Sequence, residues 1–215
     1  MTEQLGHDEL LMAHAAGRLP EPLALVVATH LALSLAARER YGRFEALGGV
    51  FLDETQPTAL AADSWDRLLA RLDDEPAATG PGGAEKASES RLPRPLRDYL
   101  PGPLESLRWR NYGTAAEYEL PLRTPGFRTT LINVRAGKRV PRHTHEGNEL
   151  TVVLEGAFHD ATGRYRRGDL AIADRSIDHR PTAEEDRDCL CLAVTDAPLR
   201  LTGPFGRLLN PFLRF

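Results

Sequence analysis

Between Gly137 and Gly156 the chain runs Gly137, five residues, His143-Thr144-His145, three residues, Glu149, six residues, Gly156. This string constrains the fold more than any other stretch. Residues two apart on a strand point to the same face, so His143 and His145 can turn both imidazoles toward one ion. Glu149 returns a carboxylate from just past the next turn. The flanking glycines bracket the hairpin that this return requires. Three such donors hold a borderline cation such as Zn²⁺ at roughly 2.0–2.2 Å from each donor atom. A fourth ligand is expected from across a barrel. Gly168-Asp169-Leu170 followed by Ile177-Asp178-His179 has the strand-turn-strand spacing to supply it, which makes His179 the candidate.

The two motifs together resemble the cupin signature, in which two histidines and a glutamate from a first motif meet a histidine from a second. The first motif matches at every diagnostic position. The second is degenerate, with Asp174, Ser176 and Ala183 standing where many cupins carry Pro, Gly and Asn. The resemblance implies a metal held by His143, His145, Glu149 and His179. Zn²⁺ is favoured because four protein ligands leave little open coordination, although Fe, Mn, Ni or Cu also occupy such sites.

The 215 residues allow one large or two small domains. The longest apolar stretch, Leu23 to Leu35, is interrupted by Thr29, His30 and Ser34, so no transmembrane helix is expected. The start, Met1-Thr2-Glu3-Gln4, lacks the basic and apolar run of a secretory signal, and a cytoplasmic protein is expected. A formal charge of −4 gives no broad field for nucleic acid, so any role in transcription is expected to act through another protein.

The amino-terminal part reads as helical. A short helix is expected from Gln4 to about Gly17, with Gly17 as its stop. A second runs from Pro22 to about Leu47, where Leu23, Val26, Val27, Leu31 and Leu35 recur at helical spacing and Gly48-Gly49 end it. A third starts near Asp63-Ser64 and carries Trp65, Leu68, Leu69 and Leu72. Too few residues precede the linker to bury the whole Leu23–Leu35 stripe, so part of it is expected to face a partner. From Asp73 to about Ser90 the chain is rich in Gly, Pro, Ala, Ser and Glu without apolar periodicity, which marks a flexible linker. Beyond Arg108, short alternating runs such as Thr130–Val134, Leu150–Leu154 and Cys189–Thr195 read as strands of a small barrel. The expected fold is α+β: a three- or four-helix domain over residues 1–72, a linker over 73–92 and an all-β barrel over 93–215.

His7-Asp8-Glu9-Leu10-Leu11, Leu19-Pro20-Glu21, Leu25 to His30, Pro95 to Tyr99, the barrel ligands, Asp188 to Leu192 and Asp196 to Arg200 carry a resemblance over nearly the whole chain. It is to the ChrR-type anti-sigma factors, which join a zinc-containing helical domain to a carboxy-terminal cupin. The resemblance implies sequestration of an extracytoplasmic-function sigma factor by the helical domain. It also implies a cupin associated with release under singlet oxygen or related oxidative stress. His7 and His30 match the family's amino-terminal histidine ligands, but Ser34 and Ala37 stand where it carries cysteines, on what reads as one helix face with His30. A hydroxyl is a poor zinc ligand and a methyl group is none, so no amino-terminal zinc is expected.

Cys189 and Cys191 share one face of a strand. A bond between them is disfavoured, because residues two apart on a strand sit near the upper limit of disulfide reach and have parallel Cβ vectors. They read as small buried hydrophobes or as a redox-responsive thiol pair beside the metal. His159 reads as a surface residue. The apolar run Gly203 to Leu213 is expected to cover the open side of the barrel, or else to make a dimer contact. Two other functions fit the same motifs. One is a metal-dependent cupin enzyme of dioxygenase or isomerase type, disfavoured because no catalytic set beyond Glu149 is visible. The other is a metal-binding cupin whose helices only mediate oligomerisation.

Overall fold

A computed structural model describes residues 6–73 and 91–203. Most of the expected linker and the end of the chain after Gly203, including the apolar run there, lie outside the described residues. Among the described residues five α-helices come first: α1 His7–Ala15, α2 Glu21–Leu33, α3 Leu35–Asp53, α4 Ser64–Asp73 and α5 Arg94–Arg97. The strands follow in the order β1 Arg110–Asn111, β2 Ala115–Glu119, β3 Arg128–Val134, β4 His143–His145, β5 Glu149–Glu155 and β6 Ala157–His159. After them come β7 Arg164–Arg166, β8 Leu170–Ala173, β9 Thr182–Ala183, β10 Cys189–Thr195 and β11 Leu199–Leu201. A helical part followed by a β domain is the expected α+β class.

The helices depart from the periodicity reading in one instructive place. The stretch expected to run unbroken from Pro22 to Leu47 is two helices bent by 119° at Ser34. Ser34 takes extended backbone angles (φ −110°, ψ 114°), and its hydroxyl accepts a hydrogen bond from the Ala37 amide at 3.3 Å. Serine is a strong N-cap because its oxygen satisfies one of the first-turn amides that the helix itself leaves open. Apolar spacing carries no signal for such a joint. Gly48-Gly49 do not stop α3, which continues to Asp53. At the start of α1 the Gly6 amide donates to the Glu9 carboxylate at 2.8 Å, and Gly17, at φ +64°, closes the far end as expected.

The strands form a six-stranded sheet in the order β1-β2-β3-β10-β5-β8, a pair β11-β4 and a three-stranded sheet β7-β6-β9. All pairings are antiparallel. Alternation along the central strands gives the large sheet two apolar faces. Leu131, Leu150, Val152, Leu154, Leu190, Leu192 and Val194 face one way and form a single core with Leu10, Leu11, Leu23, Val26 and Val27 of the helices. Val134, Val153, Cys189 and Cys191 face the other way and pack on Phe158 and Ala183 of the small sheet. The architecture is therefore helices, large sheet, small sheets.

This layering divides the Leu23–Leu35 stripe. Leu23, Leu25, Val26 and Val27 are buried, and the helix packs against β5 and β10, whereas Leu35 at the end of the stripe is exposed. Further exposed apolar side chains cluster on the second half of α3 and on α4. Among the described residues, no single helix is long and apolar enough to cross a membrane.

Truncation at the shared core and at the exposed face should therefore differ sharply. Leu192→Ala, at a position with no solvent exposure, is expected to lower unfolding free energy by about 2–5 kcal/mol in urea titration. Phe51→Ala, at a position 61% exposed, should change it by about 0.5 kcal/mol or less.

Candidate metal centre

His143 and His145 are the two inward-facing residues of β4, and both are buried. Glu149 opens β5 after a turn in which the Asn148 amide and side chain both bond to the Asp196 carboxylate, at 2.6 and 2.9 Å. That turn is tight enough that a Cβ on Gly147 would lie 2.0 Å from an Asp196 oxygen. His179 comes from the loop after β8 and is fixed opposite His143 by a reciprocal pair of backbone bonds. The His143 amide donates to the His179 carbonyl and the His179 amide to the His143 carbonyl, both at 3.0 Å. The degenerate second motif still builds its turn: the Asp174 carboxylate accepts from the Ser176 amide and hydroxyl at 2.8 and 2.5 Å. This is an Asx-type closure where Pro and Gly are the commoner solution.

The sequence-predicted set meets at one point. The His179 Nε2 lies 3.1 Å from the Nε2 atoms of both His143 and His145. A Glu149 carboxylate oxygen lies 3.5 Å from His145 Nε2 and 3.9 Å from His179 Nε2. One donor atom from each of the four residues falls within 4.8 Å of all the others. A tetrahedral ion with arms of about 2.0–2.1 Å spaces its donors about 3.3–3.4 Å apart, so the cluster can hold a metal ion with little movement.

The outer hydrogen bonds make a cation the natural occupant. His143 Nδ1 lies 2.8 Å from the Pro141 carbonyl, which can only accept, so Nδ1 carries the proton and Nε2 is a bare lone pair. His179 Nδ1 lies 2.7 Å from Asp160 Oδ2. Burial pushes the Asp160 carboxyl up, but hydrogen bonds from Thr162 and His179 outweigh it and hold the group below the usual carboxylate range. The group is thus an ionised acceptor for the His179 Nδ1–H, which turns Nε2 toward the cluster. The Nε2 atoms of His143 and His179 face each other across 3.1 Å, a spacing that a cation between them can bridge. His145 has no such support: among the described residues its buried Nδ1 finds no hydrogen-bond partner. Burial lowers the His143 pKa and lowers that of His145 to about 4, so both imidazoles stay neutral and competent to bind metal near pH 7.

A cavity of about 100 Å³ adjoins the cluster, walled by Ile132, Val134, Val140, Phe158 and Ile172, with Cys189 and Cys191 on its floor. Both cysteines are free and buried, their sulfurs 3.6 Å apart. Contact with Cys189, together with burial, pushes the Cys191 thiol up. His159 is exposed and, among the described residues, lies outside the four-residue cluster. Asp160, its neighbour, is the residue that motif reading passes over. The segment Asp160-Ala161-Thr162-Gly163 signals a turn, but nothing local signals that its carboxylate also reaches His179.

His7 and His30 meet elsewhere. Their Nε2 atoms are 3.0 Å apart, and His30 Nδ1 donates to the Gly168 carbonyl of the barrel at 2.7 Å. His30 Nε2 is therefore an acceptor and His7 Nε2 donates to it. Ser34 and Ala37 border the same cleft, with Arg40, Tyr165 and Asp169. This arrangement is a proton-ordered relay from α1 through α2 to the barrel.

Residues 104–198 match the family model described as the ChrR cupin-like domain. Over 96% of its length the chain is 43% identical to 96% of the anti-sigma-E factor ChrR of Cereibacter sphaeroides. Among solved structures it resembles that of Rhodobacter sphaeroides SigE in complex with the anti-sigma factor ChrR. The TM-score is 0.74 and the identity 40%, covering 91% of this chain and 99% of the other.

The depressed His145 pKa gives a pH dependence with a definite sign. Unfolded, His145 titrates near 6.5; folded, near 4. Its contribution to stability is complete above about pH 6.5 and is lost as pH falls toward 4. Metal-free protein should lose on the order of 3 kcal/mol from this residue between pH 7 and pH 4. In urea titrations the His145→Gln variant should show a correspondingly flatter profile over that range.

Proposed function

The chain belongs to the ChrR family of anti-sigma factors, and on that premise we propose that it sequesters an extracytoplasmic-function sigma factor through its helices. The assigned units are a helical domain over residues 1–72, a linker over 73–92 and a cupin over 93–215. The observation that carries the reading is the apolar surface left open on two helices. Leu47, Val50, Phe51 and Leu52 are exposed on α3, and Trp65, Leu68, Leu69 and Leu72 on α4. The α4 residues recur at i, i+3, i+4 and i+7, one stripe of a helix, so they form a continuous seam. Such a patch on a chain that is otherwise well packed is the mark of a protein interface. A seam of this pattern suits a partner that lays a complementary helical surface against it.

The cupin holds one Zn²⁺ through His143, His145, Glu149 and His179. Three imidazoles and a carboxylate form a closed site, which suits a structural or sensing ion better than a catalytic one. Cys189 and Cys191, beside that ion, are the oxidant-responsive part in a singlet-oxygen-type stress response. The protein works in the cytoplasm, where its sigma factor partner is found, and touches DNA only through that partner. The helical domain carries no zinc: His7 and His30 are engaged in the relay to Gly168, and the thiolates of the family are replaced by Ser34 and Ala37.

Two measurements test this. Coexpressed with the sigma factor encoded beside it, the full chain should copurify as a complex. Trp65→Asp and Leu69→Asp should each weaken that complex by about 30-fold or more, with little change in the melting temperature of the free protein. Full affinity in both variants, or oxygen uptake by a redox-active metal with no sigma factor bound, would sink the reading.

Metal analysis provides the second. The wild-type chain should carry one zinc, and the double variant Ser34→Cys/Ala37→Cys should carry two. Two zinc ions in the wild type would show that the amino-terminal site survives without its thiolates.

A further inference from the structure

We propose that Asp160 is the positioning residue of the metal centre: it fixes the tautomer and direction of His179 and so sets the affinity of the site. The inference rests on the reading of the four-residue cluster as a metal site. Asp160 belongs to neither ligand motif. It lies in the turn between β6 and β7, and its carboxylate is shared between two tasks. One oxygen accepts from the Thr162 amide at 2.8 Å, the Thr162 hydroxyl at 2.5 Å and the Gly163 amide at 3.2 Å. The other reaches His179 Nδ1 at 2.7 Å, with the carboxylate side chain only 2% exposed.

The turn itself is held in place. Thr162 Oγ1 also meets the Tyr165 hydroxyl at 3.0 Å, and the Tyr165 ring stacks on Phe158 with centroids 4.9 Å apart. The carboxylate is therefore held by contacts that do not involve the metal ligands. His179 lies outside the named strands; its backbone bridge to His143 and its ring contacts with His143 and His145 hold it in place, and Asp160 is the partner of its outer nitrogen. A buried carboxylate on the outer nitrogen also raises the basicity of the inner one, which strengthens ligation.

The asparagine variant separates positioning from mere filling of space. Three donors face the turn-side oxygen, so the amide oxygen of Asp160→Asn stays there and its NH₂ group faces His179 Nδ1. That nitrogen must then accept, which moves the imidazole proton onto Nε2, the atom that should bind metal. The turn survives and the ligand is switched off.

The test uses the full chain and zinc alone. Zinc affinity is measured by competition with a chromogenic chelator, and the His179 tautomer by nitrogen-15 NMR of the metal-free protein. Wild type should show the Nδ1–H tautomer. Asp160→Asn should show Nε2–H, with a metal-free melting temperature close to wild type and about 10–100-fold weaker zinc binding. In a His179→Ala background the same substitution should cause no further loss. Thr162→Val, which loosens the turn but leaves the carboxylate on His179, should weaken zinc binding less than Asp160→Asn does. Equal zinc affinity in wild type and Asp160→Asn overturns the proposal, as does an additive loss in the double variant or an Nε2–H tautomer in wild type. If wild type binds no zinc at all, the metal reading fails, and the tautomer measurement still decides the role of Asp160.

Discussion

The molecule is organised around the two faces of β10, a strand buried on both sides. It pairs with β3 along its whole length and with β5, so it sits at the middle of the large sheet. Leu190, Leu192 and Val194 turn toward the helices, while Cys189 and Cys191 turn toward the cavity beside the metal cluster. Because side chains alternate strictly along a strand, neither face can slip without the other. The packing of the helices and the shape of the metal site are thus set by one strand and its register. Its flanking strands share the burden: β5 sends Val152 and Leu154 to the helices and Glu149 to the metal cluster.

The parts legible in the sequence were those in which short-range pattern and long-range geometry coincide. His143, His145 and Glu149 lie within one hairpin, so spacing alone implied that they meet. His179 was placed by a family motif whose second half is degenerate, and only the structure shows that Asp174 and Ser176 close its turn. What spacing could not reveal were contacts made across the fold. Asp160 looks like an ordinary turn residue until the opposite loop is in place. Ser34 looks like one more small residue in an apolar helix, yet its hydroxyl caps a new helix and turns the chain by 119°. The apolar face of α2 could equally have met a partner or the protein's own sheet, and only the tertiary packing distinguishes them.

The polar contacts extend from the metal cluster toward the helices. His179 is held by Asp160, Asp160 by Thr162, and Thr162 by Tyr165. Tyr165 in turn borders the cleft that contains His7, His30 and Arg40. Gly168, two residues before β8, offers its carbonyl to His30 of that cleft. At φ +91° it needs the freedom of glycine, and a Cβ there would press within 3.2–3.3 Å of Leu33 at the end of α2. The turn that anchors the ligand histidine and the turn that touches the helices are thus the two ends of one short strand, β7.

That proximity bears on what holds the helices to the barrel. α1 and α2 are joined through His7 and His30, and the hydrogen-bonded chain ends on the Gly168 carbonyl of the barrel. One hydrogen-bonded pair contributes only about 1 kcal/mol. The larger contribution is the buried apolar surface of α2 against β5 and β10, which scales at roughly 25 cal/mol per Å². The helical layer therefore rests mainly on the large sheet beneath it. Because β10 turns Leu190, Leu192 and Val194 to that layer and Cys189 and Cys191 to the other side, a change of packing around the four-residue cluster or the two thiols acts on the same sheet that supports the helices.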